Sequence, residues 1–255
     1  MSPVPPPSAT ALSPAPFAPR FVTDARSRLP VGPPVDATPA KRPSRTAMPG
    51  RFVDLVPFEP AAHAADLYEA TNGPERERLW CYLGDGPFDS RAAFEAYLAR
   101  SFGGDDPLLF AIVDRTSGRT VGHASYLRID PANRAIEVGH LLFSPALART
   151  PGATEAMALM MGRAFDELGY RRYEWKCDVL NAPSRAAALR LGFTLEGVFR
   201  AHMIRKGRGR DTAWFSIIED EWPARRAAFA AWLSPDNFDA EGRQRRRLAE
   251  LRGVC

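Results

Sequence analysis

The chain has 255 residues, 45% hydrophobic and 25% charged, which is long enough to bury one substantial core and too short for three domains, so fibrous and wholly disordered classes are excluded. Its formal net charge of +4 sits in the tails: residues 1–47 carry +4 and residues 223–255 carry +3, leaving −3 on residues 48–222. A slightly acidic body argues against DNA or RNA as the ligand of the core.

Cys81, Cys177 and Cys255 are an odd number of thiols, far apart and in no metal spacing, which predicts a reducing, cytoplasmic compartment and no metal site. No stretch approaches the roughly 18 apolar residues of a membrane span, and no basic-then-apolar secretory signal opens the chain, so no membrane partner is expected.

Residues 1–47 are proline-rich and lack apolar periodicity. Such a segment cannot bury enough surface to offset its ordering entropy and is expected to be a disordered extension, with a docking arm or a targeting peptide as the functional alternatives. The ordered domain is expected over 48–222. It opens with a strand at 51–57 and a helix at 61–70, followed by a second helix that Asp89 caps and that runs through Phe94, Tyr97 and Leu98. Strands follow at 108–113, 120–129 and 135–143, joined by the turns Thr116-Ser-Gly118 and Pro131-Ala-Asn-Arg134, which predicts an antiparallel meander.

The period then changes. Over 154–168, Ala156, Met157, Met160, Met161, Ala164, Phe165 and Leu168 form one helical stripe, read as core packing, with Gly169 as its stop. A strand at 172–178, a helix at 184–191 ended by Gly192, and a hairpin of 193–205 with 210–218 complete the body. This order predicts an α+β domain with a mixed, mostly antiparallel sheet, the long helix crossing between two parallel neighbours. In the tail, 223–255, helices are expected at 224–233 and 239–252, and Arg243-Gln-Arg-Arg-Arg247 reads as a solvated helix face, with an RNA or ribosome contact as its alternative.

A strand ending in an apolar run, a loop with glycine and a helix N-terminus together cradle phosphates, because free N–H groups and the helix dipole face the anion. Here that unit is Ile136-Glu-Val-Gly-His-Leu-Leu-Phe143, then Arg149-Thr-Pro-Gly-Ala-Thr154. Followed by Asn181-Ala-Pro-Ser184, Leu191-Gly-Phe193, Glu196-Gly197 with Phe199-Arg200, and Arg210-Asp-Thr212, it resembles the GNAT acetyltransferase family, and within it the branch of the ribosomal-protein N-terminal acetyltransferases. The resemblance covers roughly residues 50–222.

The resemblance implies a twisted sheet flanked by helices and splayed between its fourth and fifth strands, with acetyl-coenzyme A in the split. The backbone at Leu142 and Phe143 would pair with the pantetheine arm, and Thr150, Gly152, Ala153 and Thr154 would bind the pyrophosphate. Asn181 would bond the pantetheine or thioester region, and Arg149 and Arg185 the coenzyme phosphates. Asn181 also reads as a strand-end turn residue, Ser184 as the N-cap of its helix, and the two arginines as solvated surface groups. Two positions depart from the family pattern. Pro151 offers no N–H and Thr154 stands in place of glycine, so the Thr150 and Thr154 hydroxyls are expected to replace the lost contact. Ala188 stands where a tyrosine acid is common, so Ser184, a water or simple release of the thiolate must serve.

An ammonium group must lose a proton before it attacks a thioester, and a carboxylate within reach can take it. Glu137, on the fourth strand, is the candidate base, with a cross-strand salt bridge as its structural alternative. His140, three residues on, is expected on the opposite face. Trp80, Tyr82, Phe88, His202 and Trp214 are candidate walls of an acceptor pocket, or core. The expected reaction is direct transfer of acetyl from acetyl-coenzyme A to a primary amine in a ternary complex, with no metal and no cysteine nucleophile. The amine would be a protein N-terminus, ribosomal or other, or a small molecule, and the acidic body suits a cationic acceptor. A non-catalytic acyl-coenzyme A sensor and a transferase of another acyl group such as succinyl stay open, as does a homodimer.

Overall fold

A computed structural model describes residues 18–253. A small hairpin of β1 (Val22–Thr23) and β2 (Pro30–Val31) stands apart from the main sheet. The body then runs β3 (Met48–Pro49), β4 (Val53–Pro57), α1 (Pro60–Thr71), α2 (Arg76–Trp80), α3 (Arg91–Phe102), β5 (Leu108–Asp114), β6 (Thr120–Asp130) and β7 (Ala135–Phe143). It continues with α4 (Pro151–Gly162), β8 (Arg172–Asp178), α5 (Ala182–Leu191), β9 (Thr194–Arg205), β10 (Arg208–Ile218), α6 (Trp222–Leu233) and α7 (Leu248–Leu251). The strands form one eight-stranded sheet in the order β3-β4-β5-β6-β7-β8-β10-β9. Every neighbouring pair is antiparallel except β7 and β8. This is the expected α+β architecture, with α4 as the crossover between the two parallel strands.

The sheet separates two apolar cores, and strand alternation assigns residues to them. On β5, Leu108, Phe110 and Ile112 face the core that includes the α4 methionines, whereas Leu109 faces the core of α1 to α3 with Leu67, Trp80 and Phe94. Gly122 on β6 leaves no room for a Cβ, which would lie 2.7 Å from the Leu142 carbonyl and 2.8 Å from Leu147. Ser90, rather than the expected Asp89, caps α3 by accepting from Ala93 N. The difference is one residue, and either side chain could have done it.

The termini differ more. Residues 1–17 of the expected extension lie outside the described residues. Its second half is laid on the body: Ala40 N donates to the Pro131 carbonyl at 3.0 Å and Lys41 N to that of Leu168 at 2.9 Å. The buried Arg163, in a π turn after α4, donates to the carbonyls of Thr46 (2.6 Å) and Ser44 (3.0 Å). Backbone hydrogen bonding, with Ala40 as the buried apolar side chain, therefore fixes residues 40–47, and composition does not report on it.

In the tail, α6 forms as expected, but the helix expected at 239–252 shrinks to α7. Asn237 explains this, since its side chain donates to the carbonyls of Trp232 and Arg246 and accepts from Arg246 N, which holds 238–246 as a closed loop. Arg243 pairs with Asp239 and Glu241, each at 2.8 Å, and Leu248 and Trp232 are buried.

Candidate active site

The parallel pairing of β7 with β8 is short. It runs from Ala135 opposite Arg172 to Val138 opposite Trp175 and ends there. β7 continues to Phe143 along β6 and β8 to Asp178 along β10, so Gly139–Phe143 presents an unpaired edge to an opening in the sheet. This is the expected split, β7 and β8 being the fourth and fifth strands counted from the one expected at 51–57. The Leu142 side chain is buried in the core of α1 to α3 and Phe143 packs on the opposite one, which leaves their backbone to face the split.

The expected phosphate loop is more regular than its sequence suggests. Thr150 caps α4 by accepting from Ala153 N at 3.3 Å, and Pro151 takes the first helical position, where a missing N–H costs nothing. Gly152, Ala153 and Thr154 are thus the first turn of the helix. Gly152 is required by close packing, since a Cβ there would lie 2.8 Å from Val53 Cγ1. The two threonine hydroxyls do not stand free as replacements: Thr150 Oγ1 donates to the Leu147 carbonyl at 2.7 Å, and Thr154 is buried with its Oγ1 accepting from Arg190 at 3.0 Å. Arg190, on α5 and stacked over Trp232 at 4.9 Å, brings a cation to this corner that sequence reading missed. Arg149 is exposed with a φ of +66°. Arg185 is not a surface group. It is buried, and its Nε has no hydrogen-bond partner.

Asn181, not Ser184, caps α5, its Oδ1 accepting from Ser184 N at 3.1 Å. The Asn-Ala-Pro-Ser spacing allows either residue to cap, and Pro183 in the first turn selects the earlier one. Ser184 Oγ instead accepts from Trp175 Nε1 at 3.0 Å. Ala188, where a tyrosine was missed, is fully buried.

A cavity of about 310 Å³ opens from the split. Three irregularities in strand register shape it. On β6 a residue is added between Leu127 and Asp130, with Arg128 at φ +47°; on β7 one is added between Gly139 and Leu142, with His140 at φ +47°. On β9 the register slips around Ala201, at φ +49°. Bulges of this kind re-aim side chains, and here Arg128, His140 and His202 all reach the cavity wall. The expectation that His140 would point away from Glu137 is therefore corrected, because period-two alternation fails across a bulge. His140 Nδ1 lies 2.9 Å from Ser125 Oγ, and burial, with Arg128 and Arg205 adding to it, pushes its pKa down to about 4.

Glu137 also lines the cavity, and its carboxylate is engaged: Oε2 lies 2.6 Å from Arg128 Nη1 and 2.8 Å from Lys176 Nζ. Lys176 continues the network to Glu174 at 2.7 Å and lies 3.7 Å above the Trp214 ring. The ion pair weighed in the sequence is present, with a lysine added to the arginine. Trp80 is core, its Nε1 donating to the Thr71 carbonyl, and Trp214 supports Lys176 without lining the cavity. Phe88 packs beside Trp80 at 5.2 Å. Tyr82 and His202 do line it: Tyr82 donates to the Leu180 carbonyl at 3.0 Å, and His202 Nδ1 lies 3.0 Å from Thr212 Oγ1. Cys177 is on the wall too, where burial raises its thiol and so disfavours a thiolate nucleophile. Among the described residues no group of three or more His, Cys, Asp or Glu could hold a metal ion.

A family model described as an acetyltransferase (GNAT) domain matches residues 53–194, the stretch that holds the split, α4 and α5. The chain belongs to the GNAT acetyltransferase family. Among solved structures, this GNAT protein is similar to a GCN5-related N-acetyltransferase from Brucella melitensis, with 46% identity and a TM-score of 0.84 over 86% of this chain and 99% of that one. YnaD of Bacillus subtilis (strain 168), named an uncharacterized N-acetyltransferase, is 24% identical over 156 residues, 61% of this chain and 88% of that protein. YdaF of the same strain, provisionally named a ribosomal N-acetyltransferase, is 30% identical over 105 residues, 41% of this chain and 57% of its own length.

Proposed function

We propose that this GNAT N-acetyltransferase transfers an acetyl group from acetyl-coenzyme A to a primary amine by direct attack in a ternary complex. The observation that carries the reading is the end of strand pairing at Val138 and Trp175, which opens an unpaired β7 edge directly onto a cavity lined by Glu137, His140 and Ser184. When bound, acetyl-coenzyme A supplies an activated thioester. The Gly139–Phe143 edge offers the backbone partners of its pantetheine amides. The first turn of α4 offers the free N–H of Gly152 to a phosphate oxygen, with Arg149 and Arg190 beside it and the unpartnered Arg185 Nε deeper in the fold.

Glu137 makes both of its contacts through Oε2, and Oε1 accepts no hydrogen bond among the described residues. Oε1 takes the amine proton, directly or through one water, while Arg128 and Lys176 fix the carboxylate in place. Ser184, with its Oγ already accepting from Trp175, has its own hydrogen free for the departing thiolate. His140 is a second acceptor for the amine proton, favoured by its neutral ring on the same wall. A protein N-terminus is one class of amine supported by the likeness to YdaF.

The test is release of coenzyme A thiol from acetyl-coenzyme A with a panel of amines, run on the wild type and on Glu137→Gln and His140→Gln. Glu137→Gln is expected to lower turnover by about 100-fold and to leave acetyl-coenzyme A affinity within about twofold. Unchanged turnover in Glu137→Gln together with loss in His140→Gln would assign the base to His140. No thiol release with any amine would remove the transferase reading.

A further inference from the structure

The charges on the cavity wall do not balance. Three acidic side chains line it: Glu137, Asp85 and Asp178. Glu137 is held by Arg128 and Lys176, Asp85 by Arg100 at 3.3 Å, and Asp178 accepts from Leu180 N at 2.8 Å. Two further guanidiniums, Arg205 at the end of β9 and Arg210 on β10, line the same cavity and pair with no carboxylate among the described residues. The one polar contact of Arg205 is the Met203 sulfur at 3.9 Å, and Arg210 Nε is buried with no hydrogen-bond partner.

Arg185 Nε, also buried, is unpartnered as well, but not every guanidinium is left so. Arg172, also on the sheet, is met by Glu174 at 2.6 Å and by Glu196. Arg205 and Arg210 flank the turn at Gly207; burial holds the Arg210 guanidinium below its ordinary pKa, with Asp178 opposing that shift and Arg205 adding to it. A half-buried cation with an orphaned N–H, beside a second unpaired cation, carries a desolvation cost that an anion in the cavity would offset.

We propose that Arg205 and Arg210 bind an acidic group, carboxylate or phosphate, on the acceptor, so that the substrate is an amine that also carries an acid. The inference rests on the transferase reading and reverses the expectation of a cationic acceptor drawn from net charge, because the local field on the wall is set by these two arginines and not by the acidic sum of the body. The same two groups could meet a phosphate of the coenzyme instead. The geometry points to the acceptor, since the α4 turn with Arg149 and Arg190 offers the phosphate donors and none of 149–154 lines this cavity.

The experiment uses the full chain, free and saturated with coenzyme A, and calorimetric titration of three matched pairs: O-phosphoethanolamine against ethanolamine, β-alanine against β-alaninamide, and the peptide amide Ser-Asp-Asp-Ala against Ser-Asn-Asn-Ala. At least one acidic member is expected to bind tenfold or more tightly than its match, and Arg205→Gln/Arg210→Gln to abolish that preference while acetyl-coenzyme A affinity stays within twofold, which also shows that the variant folds. Equal binding within all pairs, or binding of no acidic member, overturns the proposal. Tenfold loss of acetyl-coenzyme A affinity in the double variant overturns it in favour of a coenzyme phosphate contact. Acidic amines that bind to a wild type unable to bind acetyl-coenzyme A would remove the transferase reading and leave the anion site standing.

Discussion

The buried carboxylate of Glu155, on α4, accepts from three consecutive backbone N–H groups: Arg51 at 2.7 Å, Phe52 at 2.6 Å and Val53 at 3.0 Å. It thereby ties the helix whose first turn is the proposed phosphate site to the strand entering the sheet. Glu155→Ala would leave those donors without an acceptor, and we expect a stability loss on the order of 3 kcal/mol, read from urea denaturation; a loss below about 0.5 kcal/mol would contradict the assignment. Burial likewise governs His123 and His140, which lie on neighbouring strands and whose pKa values it pushes from 6.5 to about 3 and about 4, respectively. Because the folded values lie below the unfolded one, the unfolded chain binds more protons between them. Stability present above pH 6.5 is therefore lost as pH falls toward 4, at about 1.4 kcal/mol per pH unit for each histidine. Replacing His123 with Phe should flatten that slope, and an identical slope in the variant would assign it to other groups.

At the scale of elements, the tail supports the proposed phosphate corner. Trp232, buried on α6, stacks with Arg190 and donates to Gln244 Oε1 at 2.8 Å, so one side chain joins α6, α5 and the closing loop. Trp232→Ala is expected to cost about 3 kcal/mol and to weaken acetyl-coenzyme A binding by releasing Arg190; loss of stability with unchanged coenzyme affinity would remove Arg190 from the binding corner. The strands β4 to β10 were legible in chain order because stops and turns announce themselves: Gly118, Gly169 and Gly192 sit at φ +69°, +78° and +99°, where a Cβ is disfavoured; the pairing of β10 rather than β9 with β8 was not. The bulges at Arg128, His140 and Ala201 were not legible. Register imposes positive φ on these non-glycine residues, and that is a property of two strands together rather than of either sequence. For the same reason the sequence named Glu137, Tyr82 and His202 as site residues yet misdirected His140, and it overlooked Lys176, whose ion pairs cross from β8 to β7.

For the whole molecule, the sheet is both scaffold and opening. Its two faces are filled by separate cores, one under α1 to α3 and one under α4 to α7, and the end of pairing between β7 and β8 leaves a cavity between the layers. Tyr82, reaching the Leu180 carbonyl, joins the α2 end of one layer to the β8 end of the other across that opening. Whether the opening holds acetyl-coenzyme A, as proposed, is decided by calorimetric titration of acetyl-coenzyme A into the full chain. One site with a micromolar dissociation constant, about −8 kcal/mol, is expected, weakened by charge reversal beside the α4 turn in Arg149→Glu, at an exposed position. A folded protein that takes up no acetyl-coenzyme A would contradict the proposal.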